Sequence, residues 1–290
     1  MTGDTTAASK SLDKLLQTAA LVGQVAPDYD ARGFYCRLLL LATLPHSKPP
    51  ENEFSRTTGN ATLTIWAPSH IGLPYGSFPI LMNTWMVTEA IRTKSRHLDP
   101  GDSYRKFLRD LQLNDDGHTM RRFQRQAARL IASTINVTVH RDDLQGIAIS
   151  NTPLVSKAIL FWDPKHPDQP GLFGHNEIIL SEDYYQEITS HPVPVDLRII
   201  NAIKKSPMAL NLYMLMTYTY ARIEKPRRIP FKGLALQLGA DYKRQVDFKA
   251  KVIKHLRTIK GIYQKARFEV GDDGKTLVLF PSPPSVPART

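Results

Sequence analysis

Between Tyr242 and Tyr263 the chain reads YKRQVDFKAKVIKHLRTIKGIY, and its charged groups recur at helical spacing. At about 100° per residue, Phe248, Val252, Leu256, Ile259 and Tyr263 share one stripe. Lys243, Asp247, Ala250, Lys251, Lys254 and Arg257 fall on the other side. The chemistry such a surface can do is recognition of a polyanion. Arginine and lysine match guanine edges, glutamine matches adenine, and a carboxylate accepts from the cytosine amino group. Lys243, Arg244, Gln245, Asp247 and Lys251, near the start of the helix, are therefore candidate base readers. Lys249, Lys254 and Arg257, with Lys275 farther on, suit phosphate contacts. For any single one of these residues, solvation on an ordinary amphipathic helix is an equally good account. Phe248 and Val252 belong to a core.

The flanking stretches say how this helix is held. KGLALQLG at Lys232–Gly239 reads as a short helix ended by Gly239. ARFEVGDDGKTLVLFP, downstream, reads as a hairpin turning at Asp273-Gly274. Arg228–Phe231 reads as a short strand, and the helix opened by Ser206-Pro207 is apolar nearly all round, as a buried scaffold must be. Scaffold helix, short strand, helix, turn, basic helix and two-stranded wing is the order of a winged helix-turn-helix.

The same order occurs earlier. Ser77 is placed to cap a helix with Pro79 in its first turn, running to about Ser95. His97–Leu98 is a short strand, and Asp102 is placed to cap a second helix. A third helix runs from about His118 to Ser133, with Met120, Phe123, Ala127, Leu130 and Ile131 on one side and Arg122, Arg125 and Arg129 on the other. Asn136–His140 and Gly146–Ser150 read as the following ribbon, and Ala61–Ala67 as an earlier strand. His46–Asn60 reads as a loop, and Phe34–Leu44 as a strand or short helix. The expectation is an α+β chain with two tandem winged-helix domains. Residues 1–30 form a mobile or partly ordered segment with a short helix from Ser11 to Gly23. Residues 31–165 form the first domain and 166–290 the second, with the Pro-rich DPKHPDQPG at Asp163–Gly171 as the linker. Arg121, Arg122, Arg125 and Arg129 are candidates to grip DNA. Arg92, Lys94 and Arg96 can touch its backbone, or can complement a helix C-terminus.

Composition narrows the classes. The formal charge is +11. From Asp196 onward there are 19 basic and 7 acidic residues, so the surplus belongs to the last third and points to a polyanion partner. A single cysteine, Cys36, excludes an internal disulfide and a cysteine-based zinc site, and fits an intracellular compartment. No apolar run is long enough to cross a bilayer, and MTGDTTAASK does not read as a signal peptide. GDDGKT at Gly271–Thr276 has two residues between its glycines where a phosphate loop needs four. The nine histidines show no HxH or HExxH spacing. Tyr184-Tyr185 resembles paired nucleophilic tyrosines, but without a histidine pair for metal a structural role is the better account. No catalytic residue, metal or cofactor is expected.

The stretch GLPYGSFPILMNTWMVTEAIRTKSRHLDPGDSYRKFLRDLQL resembles the RepA-type plasmid replication initiators. The match runs through Leu73–Gly76, Trp85, Thr88–Ala90, Arg92–Arg96, Gly101, Ser103, Phe107 and Leu108. PVDLR, the scaffold helix, Phe248 and the closing L…PSPP.V at Leu279–Val286 are also similar to that family. The chain departs at Asn114–Gly117, where the family often has two glycines. The resemblance implies binding to direct repeats (iterons) in a plasmid origin, opening of nearby duplex, and recruitment of the host initiator and replicative helicase. It also implies a first domain that can serve a homodimer, a cytoplasmic, plasmid-associated location and no membrane. A winged-helix repressor or autorepressor is the alternative, and a rolling-circle nickase a more distant one.

Overall fold

The computed structural model describes residues 15–41, 43–58, 60–141, 146–163, 175–238, 242 and 244–287. These fall into two compact units, residues 34–192 and residues 1–33 with 193–290. Within both, the described elements are α-helices and antiparallel strands, an α+β arrangement.

In the first unit, helix α1 (Ser77–Thr93) is buried along most of its surface and forms the scaffold. Its N-cap is Gly76, at φ 81°, a conformation that favours glycine. Ser77 is thus the first helical residue and not the cap expected. Strand β1 (Glu53–Thr58) pairs with β2 (Ala61–Trp66) upstream of α1. Part of the expected loop at His46–Asn60 is therefore a strand: EFSRTT alternates, and Phe54 is its buried side chain. After α1 come the short strand β3 (His97–Leu98), α2 (Tyr104–Asp110) and α3 (Gly117–Ile131). Ser103 caps α2 through the Lys106 amide at 3.1 Å, the role expected of Asp102. Asp116 caps α3, accepting from the His118 and Thr119 amides, and these bonds hold its carboxyl below the usual range.

The ribbon is where expectation and structure part. Strands β4 (Thr134–Arg141) and β5 (Gly146–Pro153) do form a hairpin, but it extends the β1–β2 pair into a four-stranded sheet ordered β1-β2-β4-β5. The strands that join β3 are β6 (Val155–Ile159) and β7 (Glu177–Leu180), in the order β3-β7-β6. The Pro-rich stretch at Asp163–Gly171 thus connects two paired strands of one sheet. The stretch expected to be an interdomain linker is flanked by strands that pair with each other; residues 164–174 lie outside the described residues. Helix α4 (Glu182–Ser190) then packs on α1, where the Asn83 amide donates to the Tyr184 hydroxyl at 2.5 Å. The unit ends at Pro192, not at residue 165.

In the second unit, Asp196 caps α5 (Leu197–Ile203), and Ser206 caps α6 (Pro207–Tyr220) as expected. Helix α6 is the all-round buried scaffold. Strand β8 (Arg227–Pro230), α7 (Phe231–Leu238) and α8 (Gln245–Ile262) follow, then β9 (Phe268–Val270) and β10 (Thr276–Leu279). The sheet order is β8-β10-β9, so the short strand pairs with the second strand of the hairpin, as β3 does with β7. Pairing as well as element order therefore repeats. The N-terminal segment, expected to be mobile or partly ordered with a short helix from Ser11 to Gly23, contributes a helix over residues 15–24 to this unit, with Ala19 buried; Ser11 lies outside the described residues. Among the described residues no helix is long and apolar enough to cross a membrane.

Candidate nucleic-acid interface

Helix α8 buries Phe248, Val252, Leu256, Ile259 and Ile262, with Tyr263 buried just beyond. Five fully buried apolar side chains at this spacing leave the opposite surface outward. At about 100° per residue Val246, Ala250, Lys254 and Arg257 lie farthest from the buried stripe. Lys251, Lys254 and Arg257 are exposed, as are Arg244, Gln245 and Asp247 at the helix start. Lys243 lies outside the described residues.

The start of α8 differs from the expectation in one respect. Arg244 occupies the N-cap position without a side-chain cap, and its guanidinium is held by Asp247. Nε reaches Oδ2 and Nη2 reaches Oδ1, each at 2.8 Å. The carboxylate raises the guanidinium's pKa further. Asp247, expected to accept from cytosine, has both oxygens on Arg244.

Lys249 is half-buried and reaches the β9–β10 hairpin: its Nζ donates to the Gly274 carbonyl at 2.6 Å. It is a brace between helix and hairpin, a role helical spacing alone does not show. At the hairpin tip Asp273 Oδ1 accepts from the Lys275 amide at 2.8 Å and the Thr276 amide at 3.1 Å. Those bonds hold its carboxyl below the usual range. Gly274 turns the chain at φ 61° and donates to the Gly271 carbonyl at 2.7 Å. The turn therefore spans Gly271–Gly274, and the exposed Lys275 leaves it on the side of β10.

Sequence spacing passed over Val246, which is 73% exposed in the first turn of α8. A large apolar residue off the buried stripe was the available signal. Leu236 on α7 is also exposed. An apolar group among cations at a helix start suits contact with a thymine methyl.

His255, on the side of α8, is 3.3 Å from the Ser206 hydroxyl. Burial first, then Lys251 and Lys254, lower its pKa below the ordinary 6.5. The folded state thus resists a proton that the unfolded chain accepts below that value, so this contribution is present at higher pH and lost as pH falls. Tm is expected to drop between about pH 7 and pH 5, and His255→Gln to flatten part of that drop. An identical profile for the variant would remove His255 as a cause.

In the first unit, Arg121, Arg122 and Arg125 are exposed on α3, with Arg122 5.3 Å over the Phe78 ring. Arg129 is different. Its Nε donates to the Ile71 carbonyl at 3.0 Å and its guanidinium lies 5.3 Å from the Tyr75 ring centre. It binds the loop ahead of α1, so the outward arginine face is Arg121, Arg122 and Arg125. Arg92 is half-buried, and Lys94 is exposed at the left-handed C-cap of α1 with φ 52°. Arg96 donates to the Leu180 carbonyl at 3.2 Å and lies 3.8 Å from Glu182, tying the exit of α1 to β7 and α4.

A family model described as plasmid encoded RepA protein matches residues 73–230, from the turn before α1 to the end of β8. The chain belongs to this family of plasmid replication initiators. The RepA match contains α1, α2 and α3 of the first unit and the scaffold α6 of the second; α8 lies beyond it. In fold, the chain is similar to a crystal structure of selenomethionine derivatives of domains 2 and 3 of RctB. The TM-score is 0.56 at 8% identity, over 85% of this chain and 96% of that one. A second crystal structure of RctB domains 2-3 gives 0.49 at 9% identity, over 83% and 94%. No curated protein matches the chain in sequence.

Proposed function

We propose that this RepA family member initiates plasmid replication by binding repeated origin sites through two winged-helix units. Helix α8 is the main sequence reader, and the first unit positions or dimerises the protein. The observation that carries this reading is the surface of α8. It sets exposed Lys254 and Arg257 opposite a fully buried stripe, with Lys251 exposed on its flank, in a helix braced to a hairpin by Lys249. A helix of that kind fits the major groove, and the hairpin can reach the adjacent backbone. The surplus of basic residues after Asp196 supplies the long-range attraction. Opening of duplex next to the repeats, and recruitment of the host initiator and replicative helicase, follow from the family. The protein acts without catalytic residues, metal or nucleotide, in the cytoplasm with its plasmid.

Footprinting on the origin of the plasmid that carries the gene tests this. Several evenly spaced protected direct repeats are expected. One inverted repeat would show a repressor instead, and nicked plasmid or a covalent adduct after incubation of supercoiled origin DNA with Mg²⁺ would show a nickase. Arg257→Ala should weaken binding to all duplexes alike and reduce the slope of log K against log salt by about 1, as loss of one phosphate contact does. An unchanged slope would place Arg257 off the backbone.

A further inference from the structure

We infer that Arg244 reads a guanine in the major groove and that Asp247 is the positioning residue that aims it; this rests on α8 being the sequence reader. Arg244 has five N–H donors in a planar fork. Asp247 takes the Nε proton and one Nη2 proton through two 2.8 Å bonds. The end of the guanidinium is left with Nη1 and the other Nη2 proton pointing the same way. That pair of donors matches the two adjacent acceptors O6 and N7 of guanine, and adenine offers only one acceptor there.

Placement supports the assignment. Arg244 is the residue from which α8 starts, its side chain is 75% exposed, and Val246 and Gln245 beside it are exposed too. A helix start is the part of a recognition helix that contacts base edges. The pair is poorly explained as a stabilising device. An ion pair this exposed adds little to folding. Helices α2 to α6 use Ser103, Asp116, Ser181, Asp196 and Ser206 as N-caps with side-chain bonds. Helix α8 forgoes that gain for an arginine with no capping bond. What the clamp does provide is a fixed direction for a long flexible side chain, which reduces the entropy lost on contact.

The test selects duplexes from a pool with a randomised core, using the full-length protein. Wild type should enrich a motif containing a fixed guanine. Arg244→Ala should lose discrimination at that one position by on the order of 10- to 100-fold, the size of a bidentate base contact. Asp247→Asn should lose part of it at the same position with Tm unchanged, and Asp247→Glu should retain more. Replacing that guanine by 7-deazaguanine, which lacks the N7 acceptor, should weaken wild type and leave Arg244→Ala unaffected. If Asp247→Asn keeps full preference, or loses affinity equally at every position, Asp247 is not aiming Arg244 and the inference fails. If 7-deazaguanine has no effect on wild type, the guanine contact fails. If wild type enriches no motif, the reading of α8 as sequence reader falls first, and this one with it.

Discussion

Trp162→Ala is expected to destabilise the first unit by about 3–5 kcal/mol, the usual cost of emptying a buried aromatic site. Trp162 is 3% exposed. Its ring stacks on Tyr104 with centroids 4.8 Å apart and planes 6° from parallel, and lies 5.0 Å from Phe107. Phe107 in turn meets Trp85 and Phe123 edge-on. Truncation removes both the burial and these oriented aromatic contacts. The backbone at this point is held as well. The Trp162 carbonyl accepts from Gln124 at 2.7 Å, and the Phe161 amide donates to Asn176, whose own amide donates to the Gly101 carbonyl at 2.7 Å. Urea unfolding followed by far-UV circular dichroism reads the loss. A cost below about 1 kcal/mol, typical of surface positions, would mean that the segment after β6 behaves as a linker after all. A large cost confirms it as the anchored base of a hairpin loop belonging to the first unit.

Trp162 also shows where sequence reading stops. A Pro-rich stretch after β-prone sequence resembles a domain linker, because linkers and long hairpin loops share their composition. What separates the two is the pairing of Val155–Ile159 with Glu177–Leu180, a non-local fact with no local signature. The same limit explains Arg129. Period 3.6 places it beside Arg122 and Arg125, yet its guanidinium folds back to Ile71, nearly sixty residues earlier in the chain. Glu53–Thr58 reads as loop in sequence because its outward residues Glu53, Ser55 and Thr57 are polar, while the partner strand that half-buries it comes later. The buried stripe of α8 was legible because helical period and burial are both local, and each of its five side chains is buried. Ser206 was legible for the same reason; Asp102 was not, because an equally good cap, Ser103, stands next to it. Arg92–Arg96, in the stretch that carries the family resemblance, turns out to be the end of α1. Lys94 takes a left-handed conformation there and the Ser95 hydroxyl accepts from the His97 amide at 3.0 Å. A motif can therefore mark a family through a chain reversal as readily as through a contact with ligand.

Arg198→Ala is the second large effect, about 3 kcal/mol of stability in the second unit, the lower end for breaking a buried ion pair because the guanidinium side chain is 21% exposed. Its partner Asp196 is fully buried. Arg198 Nη2 lies 2.7 Å from Oδ2 and Nε 3.0 Å from Oδ1, and the pairing raises the guanidinium's pKa. Without the arginine a carboxylate remains in a buried site where, among the described residues, the α5 amide of Arg198 is the one donor left, at 2.9 Å. The same guanidinium also donates to the carbonyl of Val25, at 3.0 Å, and that of Leu21 at the end of the helix over residues 15–24. The two contributions separate in a double-mutant cycle. If the stranded charge dominates, Asp196→Asn added to Arg198→Ala should recover part of the loss; if the carbonyl contacts dominate, it should recover none. The urea midpoint of the three variants decides. The charge should dominate, because among the described residues no side chain other than Arg198 donates to the Asp196 carboxylate. The backbone amide of Asp196 already donates to the Tyr213 hydroxyl at 2.7 Å. That hydroxyl shares Ser285 with Thr217, at 2.8 and 2.9 Å. Ser285 and Val286 belong to the closing PSPP.V, buried against the scaffold α6. Arg198 thus keeps neutral a site to which the start of the second unit, its scaffold and its last described residues are all bonded, and this is why one partly exposed arginine should cost as much as a core residue.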